Sequence, residues 1–142
     1  MLLDSTLRRT RLLDAAVESL ELGDRVEVVF ARAEDHGRSP VRGACDLVVA
    51  RSFAPPAVTA ECGAPFLAVG GCLVVSEPPD DSARRWAAAP LAELGLEDEG
   101  VTGTPAMRRL RQVVPCPDRY PRRPGIPEKR PLWDVPRGTS GP

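Results

Sequence analysis

The 142-residue chain has the length of one domain, and its hydrophobic content of 42% is sufficient for a core of Ala, Val and Leu. The net charge of −1 conceals basic segments near both ends, which matter more than the total for an anionic partner. No apolar run approaches the roughly 20 residues of a membrane span, and no signal peptide follows Met1. We therefore expect no membrane partner and a cytoplasmic location.

The amino-terminal part predicts a strand, a helix and a second strand. Leu2–Leu3 is typical of the end of a strand, and Asp4–Thr6 supplies residues suited to cap the helix that follows. Gly23 is expected to end this helix, and Val26–Phe30 predicts the next strand. Apolar residues at a spacing of 3.6 predict the buried stripe of the helix, namely Leu12, Leu13, Ala16, Val17 and Leu20.

The central stretch, Asp46–Ala50, predicts a strand buried on both faces, because a short Val-rich run is typical of parallel sheets covered by helices. Pro55–Pro56 follow and stop the strand. Arg51 is then expected at the carboxyl end of a central strand, the edge at which open α/β sheets bind ligands. The alternative for a single arginine is a solvated strand terminus.

The carboxyl-terminal half continues the alternation and closes with two strands joined by a short turn, which predicts an antiparallel pair. The final strand is less apolar than the others, and we expect it at an edge of the sheet. The expected elements are a helix from Ala57 to about Phe66, a strand at Cys72–Ser76, a loop at Pro78–Asp81, a helix at Trp86–Leu94, and strands at Leu96–Val101 and Met107–Val114.

Alternating strands and helices predict an α/β fold with a mostly parallel sheet over residues 1–114. Residues 115–142 form a tail rich in proline and arginine that cannot build its own core. We expect this tail to be extended, docked or disordered. A parallel sheet closed by an antiparallel hairpin is the pattern of class I S-adenosylmethionine-dependent methyltransferases.

Cysteine usage argues against a metal site. The four cysteines are widely scattered without a CxxC pair, and the lone His36 has no second ligand at a suitable spacing. Three of the cysteines lie among apolar or small residues, where cysteine behaves as a small hydrophobe. We expect no metal and a reduced setting.

Polar residues follow three successive strands and are expected around one crevice. Asp4 is placed to accept hydrogen bonds from ribose hydroxyls, although the same position suits a helix cap. The backbone amide of Ala33 and the side chain of Glu34 are placed to hold an adenine amino group. The alternative for this pair is an ordinary charged helix start. Arg51 supplies the third polar group.

Four segments together resemble a known family. Asp4–Leu13 is similar to the "DSxxKRxxFL" segment of the GidB-type 16S ribosomal RNA guanine-N7 methyltransferases. Arg32–Glu34 resembles that family's "RAE", and Ala50–Ala54 resembles its "ARAxA". Arg119–Leu132 is close to the ending "YPRRPGxPxKxPL". The resemblance extends from Leu2 to Leu132.

This resemblance implies a Rossmann-like, S-adenosylmethionine-dependent methyltransferase that acts as a monomer on guanine N7 of 16S ribosomal RNA or the small ribosomal subunit. It places Ala33, Glu34 and Arg51 on cofactor-binding positions and Asp4 on the ribose side. No catalytic base is expected, because guanine N7 already presents a lone pair. Phosphate contacts are expected from Arg8, Arg9, Arg11, Arg122, Arg123, Lys129 and Arg130, whose alternative is a solvated face or a tail that folds back.

Two departures from the family pattern stand out. The family places a strand and a Gly-rich cofactor loop before the position of Leu2, so we expect a sheet that is incomplete at its amino-terminal end and a chain that is a fragment. Ser76–Pro78 stands where the family carries a Lys-Gly pair, and Glu77 is expected to repel phosphate.

Two other functions remain as alternatives. One is a non-catalytic remnant that binds RNA or the ribosome. The other is a nicotinamide-dependent oxidoreductase, since an acid after the second strand of the sheet also suits NAD. The antiparallel final strands, the tail and the lack of a G-x-G-x-x-G sequence argue against the oxidoreductase.

Overall fold

The computed structural model describes residues 1–78 and 85–134, and these form a mixed α/β fold. The expected loop Pro78–Asp81 therefore lies outside the described residues except for Pro78, and the last residues of the tail also lie outside them. The elements are β1 (Leu2–Asp4), α1 (Leu7–Ser19), β2 (Val28–Phe30), α2 (Ala33–His36), β3 (Cys45–Ala50), α3 (Pro56–Gly63) with a 3₁₀ turn (Ala64–Phe66), β4 (Leu67–Ser76), α4 (Ala88–Glu93), β5 (Leu96–Thr102), β6 (Met107–Gln112) and α5 (Ile126–Lys129).

The six strands form two sheets. β1 and β2 pair in parallel as one sheet, and the second sheet has the order β3-β4-β6-β5. In the larger sheet β3 and β4 are parallel, whereas β6 is antiparallel to both β4 and β5. The predicted antiparallel pair at the end of the chain is confirmed. Parallel and antiparallel strand pairs occur in equal number among the described strands, so the prediction of a mostly parallel sheet is wrong.

The expected edge position of the last strand is wrong, because β6 lies between β4 and β5 and β5 forms the edge. Charged residues are tolerated inside the sheet because acids on neighbouring elements neutralise them. Arg108 donates to Glu77 over 2.9 Å and also to Asp98, and Arg111 pairs with Glu99. Low hydrophobicity therefore reflects paired charges in this strand and not an edge.

The core lies on one face of the larger sheet. Every residue of α3 is buried, and Pro56 occupies its first turn, where a missing backbone N–H costs nothing. The tail is expected to be extended, docked or disordered, and residues 115–134 are docked, because Cys116 and Tyr120 are part of the core. The core comprises Ala60, Ala64, Leu67, Leu73, Val75, Trp86, Leu91, Leu94, Leu96, Leu110, Cys116 and Tyr120.

The prediction that β3 is buried on both faces is wrong. Val48 and Ala50 pack against the core, but Leu47 and Val49 remain 58% and 63% exposed. Among the described residues, no strand pairs with the second edge of β3, and helices cover only one of its faces. The side chains of Leu47 and Val49 instead line a cleft that separates the two sheets.

The predicted buried stripe of α1 is also wrong. Leu12 and Leu20 are 70% and 66% exposed, and Thr10 is the buried residue of this helix. The reason is that α1 packs mainly on the short strands β1 and β2, which cannot cover a long apolar stripe. In the described part of the chain, no helix is long and apolar enough to cross a membrane.

Gly71 provides a direct test of how closely β3 and β4 pack. A Cβ atom at this position would lie 2.9 Å from the carbonyl oxygens of Ala68 and Cys45. We expect Gly71→Ala to lower the free energy of unfolding by roughly 1–3 kcal/mol, because backbone must move to admit the methyl group. Gly23→Ala is the matched control, since nothing lies within 4 Å of its Cβ. Urea unfolding of both variants measures the difference, and equal stabilities would contradict the close approach.

Candidate functional site

A cleft of about 340 Å³ lies between the two sheets. Its walls include Leu2 and Leu3 of β1, residues 47–50 of β3, and Ala33 at the start of α2. The volume lies within the range of roughly 300–1,000 Å³ that is typical of small-molecule sites. The lining is mainly apolar, so the cleft suits a flat hydrophobic group better than a charged one.

Asp4 is the last residue of β1, and its carboxylate organises the start of α1. Oδ1 accepts a hydrogen bond of 2.7 Å from the backbone N–H of Thr6, and Oδ2 lies 3.3 Å from Nε of Arg9. This geometry agrees with the helix-start alternative, although Thr6, not Asp4, occupies the cap position. The Asp4 side chain is 22% exposed, so part of the carboxylate remains open to a ligand.

Ala33 and Glu34 begin α2, but they face different surroundings. Ala33 lines the cleft, whereas Glu34 is only 7% exposed and accepts the N–H of Gly125 over 2.9 Å. Burial raises the pKa of the Glu34 carboxyl, but hydrogen bonds from Gly125 and its own amide and the charge of Arg32 lower it further than burial raises it. The net result is a lowered pKa, and the carboxylate is ionised and bound to the tail.

Arg51 lies directly after β3 and is exposed. Its guanidinium has no hydrogen bond or ion pair within the described residues. The next residue, Ser52, has φ of 50°, a left-handed conformation that residues other than glycine seldom adopt. The chain therefore turns sharply after Arg51. Asp4 ends β1, Ala33 begins α2 and Arg51 follows β3, but of the three only Ala33 lines the cleft, and within the described residues no hydrogen bond or ion pair joins them.

A second cavity of about 350 Å³ lies beside the carboxyl ends of β3 and β4. Ser52, Ser76 and Glu77 contribute to its lining, together with Arg85 and Trp86. It is more polar than the cleft between the sheets, and it adjoins the turn that follows Arg51. Two chemically different cavities therefore lie near the end of the same strand, β3.

The expectation that Glu77 repels phosphate is wrong, because its charge is internally neutralised. The carboxylate is buried and accepts hydrogen bonds from Arg85 over 2.6 Å and from Arg108 over 2.9 Å. The indole N–H of Trp86 donates to the same group. A carboxylate that is paired with two guanidinium groups presents little negative potential to a passing polyanion.

The basic residues of α1 and the tail lie in different environments. Arg8 and Arg11 are exposed, whereas Arg9 donates to the hydroxyl of Thr6 over 2.8 Å and pairs with Asp4. In the tail, Arg123, Lys129 and Arg130 are exposed. Exposed cations of this kind are available to a phosphate backbone.

Arg122 differs from these residues because its guanidinium is already held. It donates through Nε and Nη2 to Glu61 over 2.8 and 2.6 Å, and its backbone N–H binds the same carboxylate over 2.9 Å. The hydrogen bond with Glu61 raises the pKa of Arg122, and the Glu61 side chain is fully buried. This arginine therefore has a structural contact that the sequence interpretation did not include.

Two residues of this arrangement were not singled out by the sequence analysis, Glu61 and Arg42. Glu61 is the sole charge in the apolar run Ala57–Val69, and such a lone charge is itself a signal of a buried ion pair. Arg42 donates to the carbonyl oxygens of Tyr120 and Cys116 over 2.7 and 2.8 Å. The sequence around Arg42 did not indicate these contacts, because the two carbonyl acceptors belong to the tail and are distant in the sequence.

The cysteines are free thiols, and three of the four are buried. Burial raises the pKa of Cys62 to about 12 and that of Cys116 to about 11, so both thiols remain protonated at neutral pH. Neither is suited to act as a nucleophile. Within residues 1–78 and 85–134, no group of three or more His, Cys, Asp or Glu side chains could hold a metal ion.

The fold and the cleft define an α/β protein whose candidate ligand site lies between the strands β1 and β3 and extends along β3. A family model, GidB, described as rRNA small subunit methyltransferase G, matches residues 1–79. The chain is 34% identical over 139 residues to ribosomal RNA small subunit methyltransferase G of Dictyoglomus thermophilum, covering 92% of this chain and 58% of that relative. The corresponding proteins of Carboxydothermus hydrogenoformans and Moorella thermoacetica are 35% and 38% identical, with 60% and 58% of their lengths covered.

The chain therefore belongs to the GidB family of rRNA small subunit methyltransferase G proteins. This confirms the family resemblance that the sequence motifs indicated. The chain spans about three fifths of the length of the relatives that it matches.

Glu34 gives a pH-dependent test of the contact with Gly125. Because the pKa of the folded carboxyl is below the ordinary value of 4.5, its stabilising effect is present above that value and is lost as the pH falls below it. We expect Glu34→Gln to be less stable than the native chain by about 1 kcal/mol at neutral pH, with a difference that shrinks below about pH 4.5.

Thermal unfolding between neutral and acidic pH measures this difference. Asp35→Asn is the matched control, because Asp35 is the exposed acid next in sequence. A Glu34→Gln difference that does not change with pH would contradict the ionised contact.

Proposed function

We propose that this chain is part of a class I, Rossmann-like methyltransferase that transfers a methyl group from S-adenosylmethionine to guanine N7 of 16S ribosomal RNA. The observation that supports the proposal is that, in a GidB family member, Asp4 ends β1, Ala33–Glu34 begins α2 after β2, and Arg51 follows β3, with the cleft lying between β1 and β3. Its relatives are named ribosomal RNA small subunit methyltransferase G.

The cleft fits the adenosine part of the cofactor in size and polarity. Ala33 and the side chains of β3 supply an apolar wall for a flat base. The exposed part of the Asp4 carboxylate is suited to the ribose hydroxyls, and the unpaired Arg51 to a negatively charged or polar group at the rim. One carboxylate oxygen of Glu34 is occupied by Gly125, so we assign the adenine contact to the backbone of Ala33–Glu34.

The chemistry requires positioning more than proton transfer. S-adenosylmethionine supplies an electrophilic methyl group, and guanine N7 supplies a lone pair without prior deprotonation. The residues of this chain hold the two reactants in line and exclude water, which is the contribution of proximity and orientation. The second cavity, which adjoins Ser52 and Ser76, is the proposed place for the target base. Glu77 supports its wall through its bonds to Arg85 and Arg108.

The RNA surface is assigned to the exposed cations at both ends of the chain. In α1 these are Arg8 and Arg11, and in the tail they are Arg123, Lys129 and Arg130. Three arginines in the first turns of α1 oppose the helix dipole, which is unfavourable unless they serve an anionic partner. We expect Arg122 and Arg9 to contribute less to RNA binding, because each already forms an ion pair with an acidic residue of this chain.

Arg51 tests the cofactor assignment. Calorimetric titration of S-adenosylmethionine is carried out with the 142-residue chain and with a version lengthened in its own reading frame to the span of its relatives. We expect Arg51→Ala to weaken binding about tenfold, the effect of losing one charged hydrogen bond. Arg109→Ala is the control, because Arg109 lies on β6, two strands away, and pairs with Glu99. An absence of binding to either native version would contradict the cofactor assignment.

Salt dependence tests the RNA surface. The slope of log affinity for 16S ribosomal RNA against log salt concentration falls by roughly 0.7–0.9 for each lost phosphate contact. We expect Arg123→Ala with Lys129→Ala to reduce the slope by about 1.5, and Arg109→Ala to leave it unchanged. Filter binding over a series of salt concentrations measures the slopes. If the double variant keeps the native slope, the tail does not contact the phosphate backbone.

A further inference from the structure

The segment that begins with Ala33, here called the cofactor-side loop (Ala33–Gly43), has little means of holding its own conformation. Its only regular element is α2, which has four residues and is far shorter than a helix that is stable by itself. Within the loop, Glu34 and Gly37 are the buried residues, and neither supplies a hydrophobic anchor. The order of this loop must therefore come from contacts with another part of the chain.

Gly43 donates to the carbonyl of Pro65, and His36 packs against Phe66. Most of the side-chain hydrogen bonds that hold the loop, however, come from the tail segment Pro115–Lys129, here called the strap. Arg42 donates to Gly37 of its own loop over 3.2 Å and to three strap carbonyl groups over 2.7–3.0 Å. Arg38 donates to the carbonyl of Pro121, and the Gly125 N–H donates to Glu34. One guanidinium thus joins the loop to successive strap carbonyl groups, which a single point charge could not do equally well.

The strap is fixed from its other side by α3. Arg122 donates three hydrogen bonds to the buried Glu61 of α3, and its Nη2 also donates to the carbonyl of Arg130. Pro121 and Pro127, which flank this contact, are fully buried. The strap therefore lies between α3 and the cofactor-side loop. Because it is bonded to both, the position of α3 determines the position of the loop.

We infer that the strap positions the cofactor-side loop, and that Arg42 and Arg122 set cofactor affinity without touching the cofactor. This rests on the proposed function for its consequence, because Ala33–Glu34 is the segment assigned to the adenine. Both arginines are positioning residues: Arg122 holds the strap on α3, and Arg42 holds the loop on the strap. The inner side of the tail is then structural, while its exposed cations face outward.

Amide hydrogen exchange on the intact chain tests this inference. Arg42→Lys and Arg122→Lys keep the charge, and therefore the neutralisation of Glu61, but replace the planar, widely spaced donors of a guanidinium by one compact ammonium group that cannot reach the same acceptors together. We expect both to raise the exchange rates of amides in the cofactor-side loop by about fivefold or more, with β4 and β6 unchanged. Arg119→Lys is the matched control in the same tail, since Arg119 is exposed and contacts Glu93 at 3.7 Å and the ring of Tyr120, neither of which belongs to the cofactor-side loop.

A functional readout accompanies the exchange measurement. Calorimetric titration of S-adenosylhomocysteine is expected to show roughly threefold or greater weakening in both variants and none in Arg119→Lys. Unchanged loop exchange in both variants would overturn the inference, as would an equal rise throughout β4 and β6, which would indicate general destabilisation. If neither the 142-residue chain nor its lengthened version binds the ligand, the cofactor assignment fails, while loop exchange still decides the role of the strap.

Discussion

The buried charge of Glu61 is the constraint on which the arrangement of the tail depends. Its side chain is fully buried in α3, and an uncompensated carboxylate there would cost several kcal/mol. Arg122 is the group that neutralises it, through two side-chain hydrogen bonds and a third from its backbone N–H. Folding of α3 into the core therefore requires the tail to return across the protein. The proline-rich composition that predicts disorder is compatible with this path, because Pro121 and Pro127 are buried and lose little entropy on ordering.

The return of the tail explains why its basic residues do not act alike. Arg122 faces inward and is bonded, whereas Arg123, next in sequence, is exposed. One segment thus stabilises the core with one side and presents positive charge with the other. The same path brings Gly125 to Glu34, so the polar contacts that fix the tail also fix the loop beside the cleft. The position of the loop beside the cleft therefore depends on how the buried carboxylate of Glu61 is neutralised.

Local patterns in the sequence predicted the longer helices, the approximate positions of the strands and the antiparallel pair at the end of the chain, because these depend on neighbours in sequence. The patterns missed the short helix α5 and the first part of β4, which begins at Leu67 and not at Cys72. Predictions that depended on packing between distant segments failed. Val49 was expected inside a covered sheet but lines a cleft, and the arginine-rich strand β6 lies inside the sheet because acids elsewhere neutralise it. For the candidate site, motifs indicated Ala33, Glu34 and Arg51, but they could not show that the tail would occupy the carboxylate of Glu34. That contact joins residues 91 positions apart.

The central claim is that the ends of β1, β2 and β3 form one cofactor site. Nuclear magnetic resonance titration of S-adenosylhomocysteine into the isotopically labelled chain, lengthened in its own reading frame to the span of its relatives, tests it most directly, since each backbone amide reports separately. The account predicts chemical-shift changes in three separate segments, at Asp4–Ser5, Ala33–Glu34 and Arg51–Ser52, with the same dissociation constant at each. Changes confined to the cavity beside Glu77, or a failure of the three segments to respond together, would contradict it.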